Sequence, residues 1–387
     1  MPASTLSDQL IDLTSDAHPH TKRVPSGSNG SQPPVRKSGQ PEHSELTEQP
    51  ARTSEDNATR VLPPTDTASL LTLLDNGLKT GPAARVQPLG FEPLDRVLGG
   101  GLRTHDLMVI AGRPGVGKTV ATLQMARNLA LSGSTVIFAC YEHDPWTLLA
   151  RLLAMEVGEI EVPHTNWYRM DGVRSLLDGV LDGTTSLSSA SGDPVLRAAR
   201  ASIDEYADRL HLVQATPSAT GVDELAQLVQ ERSTDRPTTL FVDYLQKVRV
   251  PTGGKRHIDQ VLQVTAALKE VALSSSLSIV AIGAISGAGL LKRRIHLPHL
   301  DAAIAVGYDA DIVILLNEKR HIVSSNQLNY TSEQTERFHQ RVVFSIEKNR
   351  GGIAPIDLEF TKSFEHFRFD PAGSYVSEQL VDDHSWS

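Results

Sequence analysis

One stretch, LMVIAGRPGVGKTVATLQMA (Leu107–Ala126), constrains the fold more than any other part of the chain. An apolar run meets a turn built on three glycines and then an apolar pattern at helical spacing, the order of a strand, a tight loop and a helix. Within it, Gly112-Arg113-Pro114-Gly115-Val116-Gly117-Lys118-Thr119 fits G-x-x-x-x-G-K-[ST] at every position. The glycines let backbone N–H groups curl around phosphate oxygens, and the helix start adds the positive end of its dipole. Lys118 then reaches the terminal phosphates and Thr119 takes a Mg²⁺ ion, so the stretch predicts a nucleotide triphosphate site of the ATP type.

The surrounding pattern agrees. From about Val86, short β-branched runs alternate with longer helical ones: STVIFACYE, RLHLVQA, TTLFVDYLQ, SLSIVAIGA, DADIVILLN, RVVFSIEKN, APIDLEF and HFRFD. Such alternation predicts an α/β fold, a mostly parallel twisted sheet flanked by helices, and the last three runs are close enough to form an antiparallel C-terminal edge. The expected division is a disordered tail (1–60), a linker with an amphipathic helix (61–85), the ATPase domain (86–373) and a C-terminal tail (374–387). In the tail, apolar residues are too sparse to offset chain entropy; LSDQLIDL (Leu6–Leu13) is the exception and a candidate docking segment for a protein partner. In the linker, Leu70, Leu71, Leu74 and Leu78 share a helical stripe. GTTSLSSASGD (Gly183–Asp193) reads as a polar surface insertion.

A formal charge of −9 excludes a chain basic throughout, so any nucleic-acid contact has to come from local loops. The single cysteine, Cys140, sits in a strand-like run and excludes a disulfide framework. No apolar run is long enough to span a bilayer, and the chain is expected to be cytoplasmic, with no membrane partner.

Four further groups of residues are candidates for the chemistry. Asp243 ends the run TTLFVD and is the expected carboxylate on the metal side, with Thr119. Glu142 ends the strand one βα unit after the glycine loop and is the candidate that orients or deprotonates water, with His143 and Asp144 close enough in sequence to share the role. Lys348 and Arg350, before Gly351-Gly352, are cations that reach a phosphate or are plain surface charge. Two basic loops, one with Arg249, Lys255 and Arg256 and one with Lys292, Arg293 and Arg294, suit a single-stranded nucleic-acid backbone or remain solvated charge.

Together these residues resemble a known family, the RecA-type motor domain of DnaB-like replicative helicases. GFEPLDRVLGGGL before the glycine loop, Glu142, DYLQKVRVP, the helix QVLQVTAALKEVA, SIVAIGA, DADIVILL and EKNRGG fall in that family's order over about Val86–Asp370. The resemblance implies a RecA-like P-loop NTPase, an ATP-dependent DNA helicase or translocase on single-stranded DNA. It further implies a homo-oligomeric, usually hexameric, ring with ATP and Mg²⁺ at each interface. Lys118, Thr119, Asp243 and Glu142 would come from one subunit, Lys348 and Arg350 from the next, and the Ser69–Leu78 helix would dock on a neighbour. Three departures stand out: Ala284 where the family carries a glutamine sensor, the apolar HLDAAIAVGY where it carries a polar stretch, and a tail where its helical collar domain is expected. Openings of the GFEPLDRVLGGGL type also occur in KaiC- and RadA-like ATPases, so a second reading is a RecA/KaiC-like ATPase that regulates or assembles with a protein partner.

Overall fold

The computed structural model describes residues 66–75, 86–160, 178–179, 181–184, 193–233, 235–250, 257–324 and 330–381, all within one compact unit that begins at Asp66. The expected tail, Leu78, most of the 183–193 insertion, Lys255 and Arg256 lie outside the described residues. The linker helix α1 spans Thr67–Asp75, opened by Asp66, whose carboxylate accepts from the N–H and hydroxyl of Ser69.

Every apolar run named above forms a strand. A short pair, β1 (Val86–Gln87) and β2 (Leu102–Arg103), flanks the helix α2 (Glu92–Val97). The main sheet comprises β3 (Leu107–Gly112), β4 (Thr135–Cys140), β5 (Leu210–Gln214), β6 (Thr238–Asp243), β7 (Ser278–Gly283), β8 (Ile312–Glu318), β9 (Arg341–Asn349), β10 (Ile356–Ser363) and β11 (Arg368–Phe369). Their spatial order is β11-β10-β9-β8-β3-β7-β6-β4-β5. From β8 to β5 all neighbours are parallel, whereas β9, β10 and β11 add antiparallel, as the short connections between them require.

Strand residues alternate between two cores. Met108 and Ile110 of β3, Phe138 of β4 and Ile314 of β8 face one layer, with α3 (Lys118–Leu131) and α4 (Pro145–Ile160). Leu107, Val109, Ile137 and Val313 face the other, with α6 (Val222–Arg232) and α7 (His257–Ser274). The amphipathic helix α5 (Pro194–Asp204) packs Leu196 and Ala199 beside α4. Burial on both faces is why the parallel strands read as unbroken apolar runs rather than alternating ones. Among the described residues no helix is long and apolar enough to cross a membrane.

The antiparallel edge is seated by aromatic rings: Phe344 lies 4.6 Å from Phe360, and Phe91 meets Phe360 edge-on at 5.3 Å. The buried Gln124 of α3 completes the seat, donating to the carbonyl of Phe369 and accepting from its N–H at 2.9 and 2.8 Å. Part of the segment expected as a C-terminal tail belongs to the domain, because Ser374–Tyr375 pairs with β10 and Glu378 reaches the buried Lys319 at 2.6 Å. Its polar composition hid this, since the anchoring is an ion pair and main-chain pairing rather than apolar burial.

Helices α3 and α4 are tied by a buried network. Arg127 donates to both carboxylate oxygens of Glu156 at 2.7 Å, and the Tyr206 hydroxyl donates to the same carboxylate at 2.8 Å. Removing the guanidinium leaves an uncompensated buried charge, which costs about 3–5 kcal/mol. Arg127→Met should therefore lower the urea unfolding free energy by about 3 kcal/mol or more, and Tyr206→Phe by about 1 kcal/mol; an unchanged midpoint for Arg127→Met would show that the network does not hold the two helices.

Candidate functional site

Strand β3 sits between β7 and β8, and the glycine loop leaves its C-terminal end into the crevice where the strand order turns back, the place where open α/β sheets bind ligands. A cleft of about 520 Å³ opens there, lined by the loop together with Glu142, His143, Arg151, Asp243, Ala284 and Phe364. Gly115 and Gly117 adopt the left-handed region at φ +80° and +99°, and no side chain caps the start of α3. A Cβ on Gly117 would also strike the rings of Phe364 and Phe369, so the β10–β11 turn packs directly onto the loop. The uncapped N–H groups of the loop and of the first turn of α3 form a cradle for an anion.

The side chains converge on this cradle. Lys118 curls back to donate to the carbonyls of Gly112 and Arg113 at 2.9 and 3.0 Å. Burial pulls its pKa down, and the carboxylates of Asp243 and Glu142 oppose that. Asp243 accepts from the hydroxyl of Thr119 at 2.8 Å across the intervening β7, which brings the two expected metal-side groups together. Burial pushes the Asp243 carboxyl up to about 6, against the Thr119 hydrogen bond that lowers it. Cys140 pairs with Asp243 in the β4–β6 register, so Glu142, two residues beyond, projects from the same edge. A buried carboxylate beside a hydroxyl, a lysine and uncapped N–H groups is a donor set that fits a triphosphate with Mg²⁺: Lys118 and the loop would hold the phosphates, Thr119 and Asp243 the metal.

One cation in the cleft was not legible from the sequence. Arg151, on α4, stacks its guanidinium over the ring of Phe367 at 5.4 Å and makes no hydrogen bond or ion pair among the described residues. Its charge feels Cys140, Asp243 and Glu142. In sequence it is an ordinary polar position of an amphipathic helix, and only its spacing of nine residues after Glu142 could have flagged it. At the position of the missing glutamine sensor, the N–H of Ala284 donates to the side-chain oxygen of Gln246 at 3.2 Å.

Lys348 and Arg350 lie elsewhere. Strand β9 runs antiparallel to β8, pairing Asn349 with Ile312, whereas Gly112 of the loop is level with Leu316. Arg350 thus emerges at the opposite edge of the sheet from the cradle, roughly 16 Å away at about 3.3 Å per residue. There it donates to Asp311 at 3.0 Å and to the carbonyl of Tyr308. Lys348 donates to the carbonyls of Gly307 and Ala310, closing the end of a short helix, α8 (Ala303–Asp309).

The basic loops divide. Arg249 is paired with Glu224 at 2.5 Å. Arg294 turns inward, only 11% exposed, and grips both oxygens of Asp357, a placement that makes it a strut of the antiparallel edge rather than a surface contact. Lys292 and Arg293 remain at the surface.

Comparison with known proteins adds a second line of evidence. The family model described as DnaB-like helicase C terminal domain matches residues 87–369. The chain is 25% identical to "Replicative DNA helicase DnaC" of Bacillus subtilis over 296 residues, 74% of this chain and 58% of that protein. It is 30% identical to "DNA repair protein RadA" of Mycolicibacterium smegmatis over 167 residues, 39% of this chain and 34% of that protein. The solved structure titled "The Structure Of A DnaB-Like Replicative Helicase And Its Interactions With Primase" superposes with a TM-score of 0.59 at 18% identity, covering 78% of this chain and 67% of that one; at that identity it speaks for the fold alone. The chain spans little more than half the length of the B. subtilis relative.

Two substitutions test the site. Lys118→Ala is expected to weaken binding of a fluorescent ATP analogue at least tenfold and to abolish hydrolysis, while Glu142→Gln keeps binding within threefold and loses turnover by about 10²-fold or more. Wild-type turnover in either variant would remove that residue from the chemistry.

Proposed function

This chain belongs to the DnaB-like helicase C-terminal domain family, and from that premise we propose that it is an ATP-driven, ring-forming motor that translocates on single-stranded DNA, a helicase in which each nucleotide site is shared by two subunits. In this reading ATP and Mg²⁺ occupy the cradle: the loop N–H groups, Lys118 and Arg151 hold the phosphates, Thr119 and Asp243 hold the metal, and Glu142 orients the attacking water and takes its proton. Bound Mg²⁺ supplies charge neutralisation of the phosphates. Lys348 and Arg350 act on the site of the neighbouring subunit in a ring, taken as a hexamer, that the α1 helix helps to assemble.

The observation that carries this reading is the position of Arg350. Set at the far edge of the sheet from its own cradle, half exposed on its side chain, it can serve a phosphate only in another chain. An arginine supplied across a boundary is worth ~10³ to 10⁵ in rate, so a chain built this way gains turnover by closing into a ring.

One feature favours the second reading, a RecA-like ATPase that assembles with a protein partner. Where the family's polar stretch is expected, α8 presents Ile304 and Tyr308 to solvent, 70% and 74% exposed. The two readings separate in one experiment, steady-state ATP hydrolysis with and without oligo-dT. The motor reading expects at least a fivefold stimulation that fades with salt, since backbone contacts release counterions; turnover indifferent to DNA would favour the partner-regulating ATPase.

A further inference from the structure

Beside the nucleotide cradle, on the same edge of the sheet, lies a second cleft of about 400 Å³ whose lining carries no carboxylate among the described residues. Three chain segments build it: Arg113 from the glycine loop after β3, Leu290–Arg293 after β7, and Arg320 and His321 after β8. Arg113 donates to the carbonyl of Arg293 at 3.2 Å, and Arg293 in turn donates to the carbonyls of His321 and Val323 at 3.1 and 3.2 Å. These bonds use the guanidinium groups to fix the backbone of all three segments, so the cleft is a braced structure rather than three independent loops. Glu318, outside the cleft lining, anchors Arg320 at its Nε at 2.7 Å and lies 3.5 Å from the His321 ring.

The cleft is positive on a chain of net charge −9. Burial, and after it the charge of Arg320, depresses the His321 pKa, while Glu318 opposes the shift, so the imidazole enters the cleft as a hydrogen-bonding group beside the guanidinium groups. Among the cations stand two apolar side chains, Leu290 and Leu291, the latter 88% exposed. A row of cations suits the phosphates of a nucleic-acid strand, and the exposed leucines offer apolar contact to bases that are not stacked in a duplex. A free phosphate would leave the leucines unused, and a duplex would offer them no base faces.

We infer that this cleft, formed by Arg113, Lys292, Arg293, Arg320 and His321 with Leu291, is a binding site for the backbone of single-stranded DNA, and that Arg113 links it mechanically to the nucleotide cradle. The inference rests on the motor reading and extends it: it adds Arg113, Arg320 and His321 to the DNA path and leaves Arg294 out. It also supplies a route from nucleotide to DNA in a chain that has only Ala284 at the sensor position, because Arg113 belongs to the phosphate loop and its guanidinium holds the DNA segment by a main-chain carbonyl.

The test uses the full chain, fluorescence anisotropy of labelled oligo-dT in the presence of a non-hydrolysable ATP analogue, and the double variant Arg320→Ala/His321→Ala. Both residues are at the surface, and neither contacts the cradle. The expected result is a Kd raised at least tenfold, a salt dependence shallower by about 0.7 for each lost phosphate contact, and DNA-free ATP hydrolysis within twofold of wild type. Lys292→Glu, at an exposed position, should reproduce the loss if the double variant folds poorly. Wild-type affinity and salt slope in well-folded variants would overturn the inference while leaving the motor reading intact. A wild-type chain that does not bind oligo-dT at all would overturn both. Loss of poly-glutamate binding in the double variant with DNA binding unchanged would also overturn it, assigning the cleft to an acidic protein.

Discussion

The polarity of the sheet is the constraint on which the rest depends. Because β3 is parallel to β8 and β8 is antiparallel to β9, the two cation-bearing segments of the chain are driven to opposite edges: the glycine loop with Lys118 to one, Lys348 and Arg350 to the other. No rotamer of Arg350 bridges the length of a strand. The fold therefore sets these two groups of cations on two surfaces of one molecule, and in the proposed ring a second copy would bring Arg350 to the cradle. In the single chain Arg350 rests on Asp311, which also accepts from the N–H of Leu107 and from Lys269 at 2.8 and 2.6 Å, so the arginine is held at the start of the very strand that ends in the glycine loop.

At the cradle edge, the same sheet geometry concentrates negative and positive groups in a half-buried space. Asp243 is raised towards neutrality by burial, yet it sits 2.8 Å from Thr119 and close to Lys118. A metal ion held there would supply the positive charge that opposes this effect of burial. The antiparallel edge contributes through packing: Phe364 and Phe369 press on Gly117, and Phe367 carries Arg151. Strands that look remote from the chemistry thereby form one wall of the site.

Much of this was legible in the sequence because it rests on local rules. The glycine loop needs its spacing, the buried strands need unbroken apolar runs, and Asp243 and Glu142 end such runs. What could not be read are contacts between residues far apart in sequence. Arg293 and Arg294 are neighbours with the same chemistry, yet the backbone bend they share sends one to the surface and the other onto Asp357, sixty-three residues away. Arg151 has no local signature at all, and its meaning appears only when α4 lies against Phe367. Arg320 and His321 look like a solvated turn until β8 brings them beside Arg113. Part of the expected C-terminal tail joins the sheet for the same reason, a partner strand that sequence spacing does not reveal.

The central claim is that one catalytic site is built by two chains, and subunit mixing tests it most directly. Arg350→Ala and Lys118→Ala chains, each inactive alone, are combined under conditions that allow exchange, and ATP hydrolysis is followed against total protein concentration. The account predicts recovered activity that rises with concentration, as mass action requires, since some interfaces then pair an intact cradle with an intact arginine. Activity no greater than the sum of the separate variants, in mixtures shown by light scattering to have exchanged subunits, would contradict it.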